Sequence, residues 1–294
     1  TLRTNGFGGI LADDMGLGKT LQVIAFLLSE WQEQVHASHF ALIVCPASLV
    51  YNWKSEIERF APELAAVTVT GTAAEREEII KNSDVGDILI TSYDLLRRDL
   101  ACYEDCHFGY QIIDEAQYIK NHITKAAKAV KKIHADFRTA LTGTPIENRL
   151  SELWSIFDYL MPGFLFPYSR FREELEIPIV AGHEQEELER LQKMIRPFVL
   201  RRLKKDVLKD LPAKTEEAVF AKMEGEQDKL YRAHVQRLRL LLEGQSEKEF
   251  ATQKIQILSE LTRLRQLCCD PALVYEDYDE ESAKLTMCME FIQN

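Results

Sequence analysis

Residues 8–20, GGILADDMGLGKT, join a short apolar run to a glycine-rich turn and then to an amphipathic helix. The turn follows the pattern G-x-x-x-x-G-K-[ST], except that Asp13 stands at the first glycine position. In such a loop, backbone N–H groups and the helix N-terminus face phosphate oxygens. A strand that delivers this turn to a helix predicts an α/β fold with a parallel sheet. Taken alone, the motif leaves open a chance glycine turn.

The phosphate loop predicts a defined set of contacts. The lysine neutralises phosphate charge, and the threonine hydroxyl holds magnesium. The expected nucleotide contacts are Asp13, Asp14, Met15, Gly16, Leu17, Gly18, Lys19 and Thr20, and Thr20 is also an expected Mg²⁺ ligand.

A second apolar run, residues 110–113, ends in two carboxylates, Asp114 and Glu115. Because the carboxyl ends of parallel strands share one edge of a sheet, we expect this pair to lie beside the glycine-rich loop. Asp114 then holds Mg²⁺, directly or through water, and Glu115 orients or deprotonates the attacking water. A solvated acidic turn is the alternative for the pair alone. Together the two motifs predict phosphoryl transfer, with Lys19, Asp114 and Glu115 as the catalytic residues.

Up to about residue 160, short apolar runs alternate with amphipathic stretches, as in a parallel sheet covered by helices on both faces. The predicted strands are residues 9–13, 40–45, 66–69, 87–90, 110–114 and 138–141. The predicted helices are residues 20–31, 48–60, 73–81, 92–99, 124–133 and 147–161. After residue 160 the pattern is mainly helical, with a short strand at 216–223 and a long helical hairpin formed by residues 226–243 and 250–269.

The net charge of −11 argues against a protein that coats nucleic acid with its whole surface. Any such contact must be local, and positive charge gathers at residues 120–132 and 196–209.

The six cysteines follow no disulfide framework, and Cys102, Cys106 and His107 lack a second ligand pair at zinc-site spacing. With no membrane-length apolar stretch and no targeting signal at the start, we expect an intracellular protein.

Three further predicted strands end in small hydroxyl or glycine residues, in the turns Cys45-Pro46-Ala47-Ser48, Thr91-Ser92-Tyr93 and Thr142-Gly143-Thr144-Pro145. Hydroxyl and backbone N–H groups of this kind bind phosphate without reading a base sequence. They also serve as ordinary helix caps and turns, so each turn alone is ambiguous. Their combination favours contact with a nucleic-acid backbone.

Five segments resemble, in order and spacing, the first-lobe motifs of SWI/SNF-type (Snf family) DNA-translocating ATPases, a branch of helicase superfamily two. They are DDMGLGKT, LIVCPASLVYNW, ITSYDLLRRD, DEAQYIKN and ALTGTPIENRLSELW. Residues 195–216, IRPFVLRRLKKDVLKDLPAKTE, resemble the family's segment after the first lobe, and the helical hairpin resembles its helical protrusion. Aspartate at the first loop position is typical of the family. The compact linker is most similar to bacterial members.

The resemblance covers nearly the whole chain and implies a RecA-like P-loop lobe that binds ATP and Mg²⁺. It also implies a motor that moves on double-stranded DNA, usually without unwinding it, and remodels protein–DNA complexes. The implied segments are an N-terminally truncated first lobe at 1–160, the helical protrusion and linker at 161–275, and the start of a second RecA-like lobe at 276–294. The candidates for DNA contact, or for coupling that contact to ATP, are Pro46, Ser48, Trp53, Thr91, Ser92, Lys120, Asn121, Thr142 and Asn148.

Adenine specificity is implied by the resemblance alone, because the chain begins after the family's glutamine-containing adenine segment. The second lobe carries the family's phosphate-directed arginine, so we expect the chain by itself to be nearly inactive.

Two alternative functions stay open. A strand-separating DNA or RNA helicase shares both nucleotide motifs, whereas a nucleotide-binding module without turnover has no need of Glu115. A bacterial protein of this family is expected in the cytoplasm or nucleoid, and a eukaryotic one in the nucleus.

Overall fold

The computed structural model describes residues 2–33, 41–83, 86–143, 149–182, 185–207, 215–243 and 247–293, without the side chains of 247–252. The chain forms two compact units, Thr1–Pro212 and Ala213–Asn294. No helix within the described residues is both long and apolar enough to cross a membrane.

The first unit is built on a sheet of seven strands, all of them parallel. The strands are β1 Gly9–Leu11, β2 Ala41–Cys45, β3 Ala66–Thr68, β4 Ile88–Ser92, β5 His107–Ile113, β6 His134–Leu141 and β7 Val199–Leu200. Their order across the sheet is β3-β4-β2-β5-β6-β1-β7, so β6 lies between β1, which leads into the phosphate loop, and β5, which is followed by Asp114. The α/β prediction with a parallel sheet flanked by helices is confirmed.

Helices connect the strands and cover the sheet. They are α1 Lys19–Gln32, α2 Val50–Phe60, α3 Ala73–Lys81, α4 Tyr93–Arg98, α5 Lys125–Lys132 and α6 Leu150–Leu160. Shorter helices follow: α7 Tyr168–Phe171, the π-helical turn Arg172–Glu176, α8 Ile177–Val180, α9 Gln185–Ile195 and α10 Lys204–Val207. Up to residue 160, the predicted elements are present among the described residues, with ends shifted by at most four positions.

Two hydrophobic clusters lie on the opposite faces of the sheet. Alternate residues of a strand point to opposite faces, so Leu42 packs in the cluster that includes α3 to α6 and its neighbour Ile43 packs with α1 and α2. All five residues of β2 and all five of β4 are buried, as expected for central strands covered on both sides. This double-sided packing fixes the strand ends from which the functional loops emerge.

The strand prediction at residues 216–223 is wrong. Residues 215–224 have no regular secondary structure, and Phe220 is 87% exposed. A strand needs a hydrogen-bonding partner, and within the described residues no other strand pairs with this segment. The sheet instead gains β7, where Val199 pairs with Ile10 and Leu200 with Leu11.

The second unit contains α11 Gly225–Leu242, α12 Glu247–Cys269 and α13 Ala283–Gln293. Helices α11 and α12 form the predicted hairpin. Two buried polar contacts join them: Gln227 Nε2 donates to the Leu267 carbonyl at 2.8 Å, and His234 Nδ1 lies 3.0 Å from Glu260 Oε2.

Candidate nucleotide and DNA site

The phosphate loop leaves β1 at Leu11 and enters α1 at Lys19. Gly16 and Gly18 have φ values of 83° and 73°, in the left-handed backbone region that residues other than glycine rarely adopt. Gly18 is the N-cap residue of α1, so the first free N–H groups of the helix open onto the loop. Lys19 Nζ donates to the Asp13 carbonyl at 2.7 Å, so the ammonium group lies on the inside of the loop. The loop therefore has the shape and the charge of an anion site.

Asp13 is fully buried and forms an ion pair with Arg202, which follows β7. The guanidinium donates to both carboxylate oxygens, with Nε 3.0 Å from Oδ2, and the Arg202 backbone N–H donates to Oδ1 at 2.9 Å. Gln22 Nε2 also donates to Asp13 Oδ2, at 3.2 Å. Burial raises the pKa of Asp13, but the hydrogen bonds from Arg202 and Gln22 outweigh it, and the pKa lies below its ordinary value.

The segment that carries Arg202 runs beside the loop for several residues. The N–H groups of Ala12 and Asp14 donate to the carbonyls of Leu200 and Arg202, at 2.7 and 3.1 Å. The backbone N–H of Lys204 then donates to Asp14 Oδ2 at 2.9 Å. Asp13 thus holds the loop against a strand that lies far along the sequence.

Asp114 follows β5 and is held by hydrogen bonds on both carboxylate oxygens. Trp53 Nε1 donates to Oδ2 at 2.9 Å, and the Glu115 backbone N–H donates to Oδ1 at 2.8 Å. Tyr93 donates its hydroxyl hydrogen to the Asp114 carbonyl at 2.7 Å. Burial raises the pKa of Asp114, and the Trp53 and Glu115 hydrogen bonds partly oppose this rise. The positive charge of Lys19 also acts to lower the pKa of Asp114, in line with the strand order, which separates the two motifs by one strand.

The oxygen atoms at this edge fit magnesium. Mg²⁺ prefers hard oxygen ligands and keeps several of its waters, and the Thr20 hydroxyl and the Asp114 carboxylate supply such oxygens. Each Asp114 oxygen accepts one N–H hydrogen bond and keeps lone pairs for the metal or for a metal-bound water.

Glu115 adopts a left-handed backbone conformation, with φ 51° and ψ 57°. This conformation costs about 1 kcal/mol or more for a residue with a side chain, and such residues concentrate at functional sites. Gln117 Nε2 donates to Glu115 Oε2 at 2.6 Å, and Gln117 Oε1 accepts from the Thr142 hydroxyl at 3.1 Å. Gln117 therefore links the expected water-orienting carboxylate to the end of β6.

The residues predicted for DNA contact or coupling differ in exposure. Ser48 and Asn121 are exposed, and Lys120 is half-buried with Nζ 3.8 Å from Glu152 Oε1. The others are buried, namely Pro46, Trp53, Thr91, Ser92 and Thr142, and Asn148 lies outside the described residues.

Trp53 is 1% exposed and its indole N–H donates to Asp114, so its side chain lies in the interior beside this carboxylate and not at the surface. Ser92 Oγ accepts from the Leu95 backbone N–H at 3.3 Å and caps α4, as the alternative interpretation of that turn expected.

Four further residues of the site were not singled out from the sequence: Arg202, Lys204, Gln22 and Gln117. Two features of the sequence pointed towards Arg202 and Lys204: the unexpected Asp13 and the positive charge at residues 196–209. Neither signal showed that the two belong together.

A parallel α/β lobe with a phosphate loop after one strand and a carboxylate pair after another is a P-loop nucleotide-binding lobe. Residues 1–273 match the SNF2-related domain, and the chain belongs to this family of superfamily two translocases.

Relatives and solved structures agree with this assignment. The chain is 39% identical over 298 aligned residues to an uncharacterized ATP-dependent helicase of Mycoplasma genitalium, covering 100% of this chain and 28% of the relative. It is 41% identical over 288 residues to the TATA-binding protein-associated factor MOT1 of Saccharomyces cerevisiae, covering 90% of this chain and 15% of the relative. The Sulfolobus solfataricus SWI2/SNF2 ATPase core in complex with dsDNA matches with a TM-score of 0.64 and 38% identity, over 99% of this chain and 61% of that chain.

Proposed function

We propose that this chain is the ATP-binding first lobe of a DNA-dependent ATPase that moves along double-stranded DNA and remodels protein–DNA complexes. The observation that carries the proposal is the meeting of two sites at one edge of the sheet. Lys19 and the phosphate loop follow β1, and the Asp114–Glu115 pair follows β5, with β6 between them. A module that only binds nucleotide does not need the second site.

The chemistry is divided among the residues of this edge. The loop N–H groups and Lys19 bind the phosphates of ATP. Thr20 and Asp114 would hold Mg²⁺, which would supply positive charge to the transferred phosphoryl group. Glu115, oriented by Gln117, positions the attacking water and accepts its proton. Because Gln117 also contacts Thr142, a movement at the end of β6 changes the position of Glu115.

DNA contact is proposed for the exposed strand-end turns near this edge. Ser48 and Asn121 offer a hydroxyl and an amide, and Lys120 offers charge, which are groups that contact phosphates without reading bases. The solved relative in complex with double-stranded DNA supports this partner. The proposed location follows from it: the nucleoid of a bacterium, or the nucleus of a eukaryote.

The site is proposed to be completed by a second RecA-like lobe of the same polypeptide. The chain spans 28% and 15% of the two relatives' lengths, which leaves ample sequence for such a lobe. An arginine supplied from outside the phosphate loop contributes roughly 10³ to 10⁵ in rate in related phosphoryl-transfer sites. The chain alone is therefore proposed to turn ATP over hardly at all. It is also proposed to bind ATP weakly, because no opposing lobe excludes water from the phosphates. Residues 161–275 are proposed as the protrusion and linker, and residues 276–294 as the start of the second lobe.

The test is ATP binding and hydrolysis by the two-lobed protein, with and without duplex DNA. Lys19→Ala weakens ATP binding because it removes phosphate charge, whereas Glu115→Gln keeps binding and loses DNA-stimulated turnover. The matched control is Glu104→Gln, which removes an exposed acid outside the site. Hydrolysis by Glu115→Gln at the parent rate would refute the role of Glu115. Strand separation without remodelling would favour an unwinding helicase.

A further inference from the structure

Lys204 is the first residue of α10, in the segment that β7 and Arg202 fasten to the phosphate loop. Its backbone N–H donates to Asp14 Oδ2 at 2.9 Å, one residue from the buried Asp13. These contacts fix where the Lys204 side chain begins. The position of the Lys204 backbone depends on main-chain hydrogen bonds and on the Arg202–Asp13 ion pair. A change of the Lys204 side chain therefore leaves these contacts in place.

The Lys204 side chain lies against Gly16, in the middle of the phosphate loop. A methyl group added at Gly16 would lie 3.3 Å from both Cε and Nζ of Lys204. The residue is exposed, and within the described part of the chain no carboxylate lies within ion-pair distance of its Nζ. An ammonium group thus stands beside the loop glycine with solvent around it.

The loop therefore has two lysines with different roles. Lys19 Nζ is hydrogen-bonded to the loop carbonyls of Asp13 and Asp14, at 2.7 and 3.5 Å. Lys204 Nζ approaches the loop at Gly16, next to the N–H groups that wrap around phosphate. A triphosphate carries several negative charges, and a flexible ammonium at this distance gains Coulomb energy when they arrive.

We infer that Lys204 is a second phosphate-binding lysine of the nucleotide site, contributed by the segment after β7 rather than by the phosphate loop. The inference rests on the proposed function, because it assumes that the loop binds a triphosphate. The contact is with phosphate, so inorganic tripolyphosphate and ATP depend on Lys204 alike.

The experiment measures the binding of MgATP and of inorganic tripolyphosphate to the two-lobed protein at low ionic strength. Lys204→Gln is compared with Lys205→Gln, its exposed neighbour in α10, and with Lys204→Arg. Lys204→Gln lowers the affinity for both ligands roughly fivefold, which is the factor that corresponds to one exposed charge contact. Lys205→Gln stays within about twofold of the parent, and Lys204→Arg keeps most of the affinity. The effect of Lys204→Gln shrinks as salt is added, because the contact is exposed.

The outcomes separate this inference from the function on which it rests. If the parent binds both ligands and Lys19→Ala weakens them, while Lys204→Gln behaves like Lys205→Gln, the role of Lys204 is overturned and the nucleotide site stands. If the parent binds neither ligand, both proposals fail. Equal losses in Lys204→Gln and Lys204→Arg also overturn the inference, because a phosphate contact depends on the positive charge.

Discussion

Replacing Trp53 by phenylalanine removes the hydrogen bond between its indole N–H and Asp114 Oδ2, a contact of 2.9 Å in the buried interior. Trp53 is 1% exposed and packs in the cluster formed by α1, α2 and the sheet. The phenyl ring keeps most of this packing. The substitution therefore tests mainly whether Trp53 holds the proposed magnesium ligand.

The magnitude follows from the two losses. A hydrogen bond to a charged acceptor contributes about 1.5–3 kcal/mol, and the smaller ring leaves a cavity that costs about 1 kcal/mol more. Trp154→Phe is the matched control, because its indole N–H donates to the neutral Phe166 carbonyl at 3.0 Å and the residue is also buried. That hydrogen bond contributes only about 1 kcal/mol. Because the cavity cost is shared, Trp53→Phe is therefore less stable than the control by about 0.5–2 kcal/mol.

The assay is thermal unfolding followed by tryptophan fluorescence. All three tryptophans, Trp31, Trp53 and Trp154, lie in the first unit, so the signal reports that unit, and each variant keeps two of them. For a unit of this size, 1 kcal/mol changes the midpoint by about 2–4 °C, so Trp53→Phe should unfold about 1–8 °C below Trp154→Phe. Equal midpoints for the two variants would refute the reasoning, and a variant that kept its midpoint but lost DNA affinity would restore Trp53 as a DNA contact.

Two further predictions concern the ends of β7 and β6. Asp13 stabilises the fold fully above the ordinary aspartate pKa of about 3.9 and loses this effect as pH falls through its lowered folded-state pKa. The unfolding midpoints of Arg202→Gln and of its exposed neighbour Arg201→Gln should therefore differ at pH 7 and converge towards pH 3, and a pH-independent difference would contradict the ion pair. In the two-lobed protein, Thr142→Val breaks the contact with Gln117 and should lower DNA-stimulated hydrolysis severalfold with ATP affinity unchanged, whereas an unchanged rate would exclude this coupling.

The fold of the first unit could be predicted because its signals are local. Apolar runs such as ALIVC mark central strands that are buried on both faces, and the turns between them mark the functional edge. Pairing, in contrast, is not local. Val199 and Leu200 are too few to show a strand pattern and become β7 only because β1 is beside them. Residues 216–223 show the opposite case: among the residues that the structure describes, no strand pairs with this segment, and it stays irregular.

The candidate site shows the same difference between local signals, which the sequence contains, and long-range contacts, which it does not show. Lys19, Asp114 and Glu115 were predicted because each motif contains its own chemistry in consecutive residues. The contacts that orient them join distant parts of the chain: Trp53 to Asp114, Gln117 to Thr142, and Arg202 to Asp13. The hydrophobic periodicity of the sequence does not show which distant residues form such pairs. The sequence therefore left Trp53 a candidate either for DNA contact or for coupling, and it did not show that its partner is the buried Asp114.

Asp13 shows why the missing glycine does not weaken the phosphate loop. Among the described residues, positive φ values occur at Gly16 and Gly18 but not at Asp13, so this position does not need glycine for its backbone. A carboxylate here can turn inward and bind Arg202, which a glycine could not do. The loop is consequently held by a strand that follows α9, and that strand is held by the loop in return. The phosphate loop is thus linked physically to residues 199–204, which lie near the end of the first unit in the sequence.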